Sequence, residues 1–479
     1  MNELSTRHHQ SNGIGDTLVQ SISAPPLLIF LNARLFARRC NAGRIIVTER
    51  SLSQTRRSML VNSAAVGVAL TVLAEPNTAE AIETGGSSAI RPFRASFQQE
   101  ALDDLRRRIA ATRLPQRETV TDGTQGVPLA LVQNLSRYWA TDYDFRRVEA
   151  NLNRYPQFIT EIDGLDIHFI HVRSRHPNAL PVIVTHGWPG SVLEQIKLIG
   201  PLTDPTAYGA RASDAFDVVI PSMPGYGFSG KPTTAGWDCP RIARAWTVLM
   251  HRLGYQRYVA QGGDWGSFIT EQMAVQRAPE LVGIHVNLPS AVPAEIFAAL
   301  PSHTPPAGLS ADEGYAFERL DYLFTKGLPP FLEMGARPQT LYAIEDSPVG
   351  LAAWFLDHDI RSRDLIARSF EGQAEGLTRD DVLDNVTFTW LTRTAVSGAR
   401  LYWENKLPFF APVGVTIPTA VSAFPDEVYQ VPRSWAERAY PNLVHYNRMT
   451  RGGHFAAWEQ PALLTSEMRA SFASLRRSV

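Results

Sequence analysis

Apolar runs in this chain repeatedly end in residues that can do chemistry. Pro181-Val182-Ile183-Val184-Thr185 runs into His186-Gly187-Trp188-Pro189-Gly190, and Tyr258-Val259-Ala260-Gln261 runs into Gly262-Gly263-Asp264-Trp265-Gly266. The run at 416–424 leads to Pro425-Asp426-Glu427, and Val444-His445-Tyr446-Asn447 is followed by Arg451-Gly452-Gly453-His454-Phe455. The sharpest pattern is Gly262-x-Asp264-x-Gly266. Small residues on both sides of a nucleophile are what a tight strand-to-helix turn demands, because neither flank has room for a side chain. The nucleophile here is a carboxylate, and the sequence contains no Gly-x-Ser-x-Gly, which argues against serine esterase or lipase chemistry. An Asp that caps a helix starting near Ser267 is the alternative reading of the motif alone. The order Asp264, Glu427, His454 decides for the reactive reading, since it runs nucleophile, acid, histidine.

The elements that must position these groups follow from hydrophobic period. Leu102, Leu105, Ile109 and Leu114 recur at helical spacing between about 93 and 155. Phe158-Ile159-Thr160-Glu161-Ile162 and Ile167-His168-Phe169-Ile170-His171-Val172 flank Asp163-Gly164, a strong hairpin signal. The sheet is expected to begin there. The short apolar runs at 181–185, 216–220 and 258–261, with a helix predicted over 242–253, indicate a mostly parallel sheet with helices on both faces. After Val286-Asn287-Leu288-Pro289 the alternation gives way to helical sequence as far as Asn405, which reads as an inserted lid. Strands resume at 416–424 and 444–447, and a closing helix is predicted from about 459 to 475. In such a sheet, reactive groups gather at the carboxyl ends of the strands, as they do here. The fold class is therefore α/β, and the nucleophile, acid, histidine order is that of the α/β-hydrolase fold.

From about Ile90 onward the chain resembles the microsomal-type epoxide hydrolases, including the juvenile hormone epoxide hydrolases. The resemblance lies in His186-Gly187-Trp188-Pro189-Gly190-Ser191, Gly263-Asp264-Trp265-Gly266, Asp346-Ser347-Pro348-Val349-Gly350-Leu351-Ala352-Ala353-Trp354, Arg400-Leu401-Tyr402-Trp403-Glu404-Asn405, Phe424-Pro425-Asp426-Glu427 and Arg451-Gly452-Gly453-His454-Phe455-Ala456-Ala457. It implies a small apolar epoxide opened by Asp264 to an ester, which water activated by His454 then hydrolyses to a diol. It further implies Glu427 as the partner of His454, with Asp426 as the alternative, and the backbone N–H groups of Trp188 and Trp265 as oxyanion donors. Tyr402 matches one of two lid tyrosines that polarise the epoxide oxygen. The other is expected at Pro330, where the sequence reads Gly327-Leu328-Pro329-Pro330-Phe331-Leu332, with Tyr322 and Tyr342 as conceivable substitutes. Two alternatives stand beside this reading: a haloalkane or haloacid dehalogenase, and a relative that binds epoxides but turns them over poorly. No cofactor or metal is expected, since a carboxylate is ionised at neutral pH.

The corresponding organisation is a leader at 1–81, a linker at 82–90, an N-terminal helical meander at 91–157, the first part of the core at 158–289, the lid at 290–405 and the second part of the core at 406–479. Within the leader, Thr55-Arg56-Arg57-Ser58-Met59-Leu60, the apolar run at 59–73 and Ala79-Glu80-Ala81 read as a twin-arginine export signal at 56–81. This places the protein in the periplasm or outside the cell, and the true start downstream of Met1. An interior helix and a cytoplasmic protein are the alternative. The run is shorter than the roughly 20 apolar residues that span a bilayer. Lys plus Arg is 46 against 47 Asp plus Glu, which disfavours nucleic acid as a partner. A homo-oligomer remains open.

Several residues are read as structural. His168 and His171 sit in a strand, and His186 shapes the loop that presents Trp188. Asp357-His358-Asp359 is taken as solvent-facing charge within helical lid sequence, since no second metal-ligating cluster lies near it in the sequence.

Overall fold

The computed structural model describes residues 88–373 and 376–476. The leader and the linker as far as residue 87 lie outside the described residues. The strands are β1 (Arg91–Phe93), β2 (Gln157–Ile162), β3 (Leu165–Val172), β4 (Leu180–Thr185), β5 (Phe216–Pro221), β6 (Tyr258–Gly262), β7 (Leu281–Val286), β8 (Thr419–Ala423) and β9 (Leu443–Arg448). They form a nine-stranded sheet in the order β1-β2-β3-β5-β4-β6-β7-β8-β9. The pairings from β1 to β5 through β2 and β3 are antiparallel, and the rest are parallel. Asp163 and Gly164, both at positive φ, close the β2–β3 hairpin, with Ile162 opposite Leu165. The sheet does not begin at that hairpin. Arg91–Phe93 pairs with β2 as an edge strand inside a stretch expected to be helical, and three residues are too few to show a period.

Strands β4, β5 and β6 are buried along nearly their whole length, which explains their continuous rather than alternating apolar sequence. Helices Val192–Thr203, Cys239–Arg252, Trp265–Gln276 and Pro461–Ser471 pack against the sheet. The parallel register levels the carboxyl ends of the strands. Thr185 of β4 and Val286 of β7 both stand opposite Gly262 of β6. Beyond β8, a bridge between Asp426 and Gly453 brings the loops after β8 and β9 side by side. Chain segments far apart in sequence thus meet above one edge of the sheet.

Between β7 and β8 the chain passes through a series of helices, among them Pro329–Ala336, Pro348–Leu356, Ile360–Phe370, Arg379–Thr392 and Ala395–Glu404. The N-terminal helices Gln99–Ala110, Leu129–Thr141 and Arg147–Leu152 bury Leu102, Leu105, Ile109, Leu135, Trp139 and Val148. They are tied to the lid helix Arg379–Thr392 by polar contacts. Tyr143 Oη, Arg147 Nε and Asn151 Nδ2 all donate to the Asp384 carboxylate, at 2.7, 2.9 and 2.9 Å. Trp139 Nε1 donates to Thr387 Oγ1 one turn away, at 3.0 Å. Burial pushes the Asp384 carboxyl up to about 6 in spite of these partners. No helix among the described residues is long and apolar enough to cross a membrane.

Removing the Asp384 carboxylate leaves three donors without their shared acceptor. Arg147 is 38% exposed and can recover water, which moderates the loss. Asp384→Ala is expected to lower stability by about 2 to 3 kcal/mol, read from urea unfolding. An unchanged midpoint would show that these bonds do not hold the meander to the lid.

Candidate active site

The turn after β6 is built by exclusion of side chains. A Cβ on Gly262 would strike the Gly266 carbonyl, and one on Gly266 would strike the Thr185 carbonyl of the neighbouring strand. Between them Asp264 takes φ 47° and ψ −129°, a strained conformation for a residue with a side chain. The helix begins at Trp265, not near Ser267, and Asp264 makes no side-chain cap bond to it. The carboxylate is instead directed across the turn, where its Oδ1 accepts from the Trp188 amide at 2.7 Å. The Trp188–Pro189 peptide in that neighbouring loop is cis. Burial pushes the Asp264 carboxyl up, but the hydrogen bond and charge of His454, with the Trp265 amide, hold it below the usual carboxylate range.

His454 comes from the loop after β9 and is held by Glu427 from the loop after β8. His454 Nδ1 lies 2.5 Å from Glu427 Oε1, and Nε2 lies 3.3 Å from Asp264 Oδ2. Glu427 is fully buried and also accepts from the Val428 amide at 2.8 Å and Asn287 Nδ2 at 3.5 Å. Asp426 points away and pairs with Arg361 at 3.3 Å, so Glu427 is the one that meets His454. Burial pulls His454 down, yet the Glu427 and Asp264 carboxylates overcome it and hold the imidazole well above its ordinary pKa. His454 thus stands between two carboxylates, both of which favour its protonated form.

Tyr402 reaches the site from helix Ala395–Glu404 and stands edge-on to Trp265, with ring centroids 4.7 Å apart. Burial, then the charge of Asp264, pushes its phenol well above 10, so it remains a proton donor. Pro330 is buried in the first turn of helix Pro329–Ala336. The next residue, Phe331, stacks on Tyr402 at 5.6 Å, which puts a phenyl ring without a hydroxyl beside the tyrosine. Tyr322 and Tyr342 are 45% and 69% exposed, and neither stands in for the missing phenol. An open cleft of about 880 Å³ bordered by Lys231, Arg337 and Glu404 touches neither Asp264 nor His454.

Of Asp357-His358-Asp359, read as solvent-facing charge within helical sequence, Asp357 is exposed as expected, but His358 is not. The segment is a loop between helices Pro348–Leu356 and Ile360–Phe370, and the His358 side chain is only 4% exposed. Its ring lies 4.5 Å from that of His454. Folding of the lid over the core supplies this neighbour, and no spacing within the sequence signals it. Glu194 is a second residue without a motif. Burial, reinforced by the charges of Asp264 and Glu427, lifts it to about 8, so it adds no further negative charge beside them. Arg319 Nη2 donates to the Glu427 carbonyl at 3.4 Å. His186 has the structural role expected of it: Nδ1 bonds the Gly187 carbonyl at 3.1 Å, and Nε2 accepts from the Met223 amide at 3.2 Å. Burial keeps it neutral, at about 4. His168 is likewise buried and neutral, between Ser222 and Gln157.

A strained turn after an interior strand of a mostly parallel sheet, facing an acid and a histidine from the two later loops, defines an α/β-hydrolase. A family model described as alpha/beta hydrolase fold matches residues 181–326, and one described as Epoxide hydrolase N terminus matches residues 90–195. The chain is 49% identical to a Stigmatella aurantiaca protein over 395 residues, covering 81% of this chain and 86% of that one. It is 34% identical to Epoxide hydrolase 1 of Oryctolagus cuniculus, covering 79% and 88%. The crystal structure of juvenile hormone epoxide hydrolase from the silkworm Bombyx mori superposes with a TM-score of 0.71 at 28% identity, covering 82% of this chain and 96% of that one. The chain belongs to the epoxide hydrolase family.

The elbow predicts a contrast between two glycines. Gly266→Ala forces a Cβ into a backbone carbonyl and is expected to cost about 1 to 3 kcal/mol or prevent folding. Gly314→Ala, within helix Ala311–Tyr322 and facing open space, is expected to stabilise by up to about 1 kcal/mol. Thermal unfolding of both variants checks the pair, and equal effects would contradict the steric account of the elbow.

Proposed function

We propose that the chain hydrolyses small apolar epoxides to vicinal diols through a hydroxyalkyl ester on Asp264. The observation that carries this reading is the Asp264 carboxylate, with one oxygen on the Trp188 amide and the other beside His454 Nε2. In the first step an Asp264 oxygen attacks a ring carbon, the carbon–oxygen bond of the epoxide breaks, and the departing oxygen takes a proton from Tyr402. The phenol is restored by the proton that His454 gives up. Ester formation favours that loss, because it removes the Asp264 charge that helped to hold the imidazolium. In the second step neutral His454 takes a proton from water, which attacks the ester carbonyl. The amides of Trp188 and Trp265 stabilise the resulting oxyanion. Collapse releases the diol and regenerates the carboxylate. Glu427 is a positioning residue, fixing the tautomer and the charge of His454. Trp188, Phe331, Tyr402 and Phe409 give the surroundings an apolar, aromatic character suited to such a substrate.

The export reading belongs to the same proposal, with twin-arginine transport and cleavage after Ala81. N-terminal sequencing of the exported chain is expected to begin at Ile82, and a chain beginning near Met1 would overturn it.

Asp264→Asn is expected to lower diol formation from styrene oxide by about 10³-fold or more. His454→Gln is expected to form the ester and retain it, visible as a mass increase on Asp264. Pro330→Tyr restores a second phenol and is expected to raise the rate of ring opening several-fold. Release of halide from halogenated alkanes without diol formation from epoxides would support dehalogenation instead.

A further inference from the structure

The position of His358 gives the site a second imidazole that the proposed hydrolysis does not use. One carboxylate oxygen of Asp264 and one ring nitrogen from each of His358 and His454 all lie within 4.8 Å of one another. The His454 Nε2 to Asp264 Oδ2 separation is 3.3 Å. Ligands about 2.0 to 2.1 Å from a tetrahedral ion stand about 3.3 Å apart, so this pair already has the spacing of two zinc ligands.

Further observations point to a ligand at this place. His358 Nδ1 is buried without a hydrogen-bond partner and lies 3.8 Å from Asp359 Oδ2. Glu427 holds the other nitrogen of His454, the carboxylate behind a ligating histidine that orients metal-bound imidazoles elsewhere. Phe331 and Phe455 pack on the His358 ring at 5.3 and 5.5 Å, which restricts its swing away from the site. His358 lies in the loop between helices Pro348–Leu356 and Ile360–Phe370.

The geometry points to a binding site for a divalent transition ion of the zinc type, made by Asp264, His358 and His454, whose occupation inhibits the enzyme. This rests on the assignment of Asp264 and His454 made above. Two imidazoles and one carboxylate select zinc-like ions over magnesium or calcium, which prefer all-oxygen surroundings. An ion held there displaces the Nε2 proton of His454 to solvent and occupies both the nucleophile and the base. It forms and breaks no covalent bond in the substrate, so its removal restores activity.

The test uses the full chain, with ZnCl₂ as the probe and EDTA as the reversal. Isothermal titration calorimetry is expected to give one site per chain, with binding weakened at least tenfold in His358→Gln and in Asp264→Asn, both checked for folding by circular dichroism. Diol formation by the wild type is expected to fall at least tenfold with zinc and recover with EDTA, while equal magnesium has no effect. His358→Gln is expected to lose most of this zinc sensitivity. Absence of zinc binding by the wild type, or equal binding by His358→Gln, would overturn the site. Calorimetry does not depend on turnover. A chain that binds zinc through His358 but makes no diol therefore refutes the hydrolase reading and leaves the metal site standing.

Discussion

His454 is held between the carboxylates of Glu427 and Asp264 in a site almost closed to water, and the surrounding structure makes that concentration of charge tolerable. Buried charges are costly unless each finds a partner. Glu427 is met by His454, the Val428 amide and Asn287, and Asp264 by His454 and the amides of Trp188 and Trp265. Glu194, the next acidic group, stays protonated near neutral pH, which keeps the local charge from growing further. In the proposed mechanism the carboxylate held ionised is the nucleophile, and the imidazole, whose proton depends on that carboxylate, becomes the base once it is esterified.

The sheet turns this electrostatic arrangement into fixed geometry. Parallel register levels the ends of β4, β6 and β7, so the Trp188 loop, the Asp264 elbow and Asn287 emerge together. The bridge between Asp426 and Gly453 does the same for the two later loops. The lid contributes Tyr402, Phe331 and His358 from separate helices and loops, and the meander braces the lid through Asp384. A perturbation at Asp384 thus lies on a physical route to the position of the lid residues, although it touches none of the reacting groups.

The legible part of the site was the part fixed by local backbone demands. Gly262 and Gly266 announce the elbow because only a residue without a side chain fits there, and the hairpin at Asp163-Gly164 is announced by its need for positive φ. Glu427 was preferred to Asp426 on the family resemblance, and in the structure Asp426 turns instead to Arg361. What sequence reasoning missed depends on tertiary packing. His358 lies 96 positions from His454 in the chain and meets it only when the lid closes on the core. Its flanking aspartates made solvent-facing charge within helical sequence the natural reading. The three-residue strand Arg91–Phe93 is stabilised by its pairing with β2 and has no period of its own to display. At Pro330 the loss of a phenol was readable, but its consequence was not: the following Phe331 supplies the ring against Tyr402.

The central claim is that Asp264 itself attacks the substrate, and one measurement tests it most directly. A single turnover with enzyme in excess over epoxide, run in water enriched in oxygen-18, separates attack by Asp264 from attack by water. The account predicts unlabelled diol in that first turnover and one heavy oxygen in the peptide that contains Asp264, because water enters the ester carbonyl while the original carboxylate oxygen leaves with the product. Heavy oxygen in the diol with none in Asp264 would mean that water opens the ring directly and would contradict it.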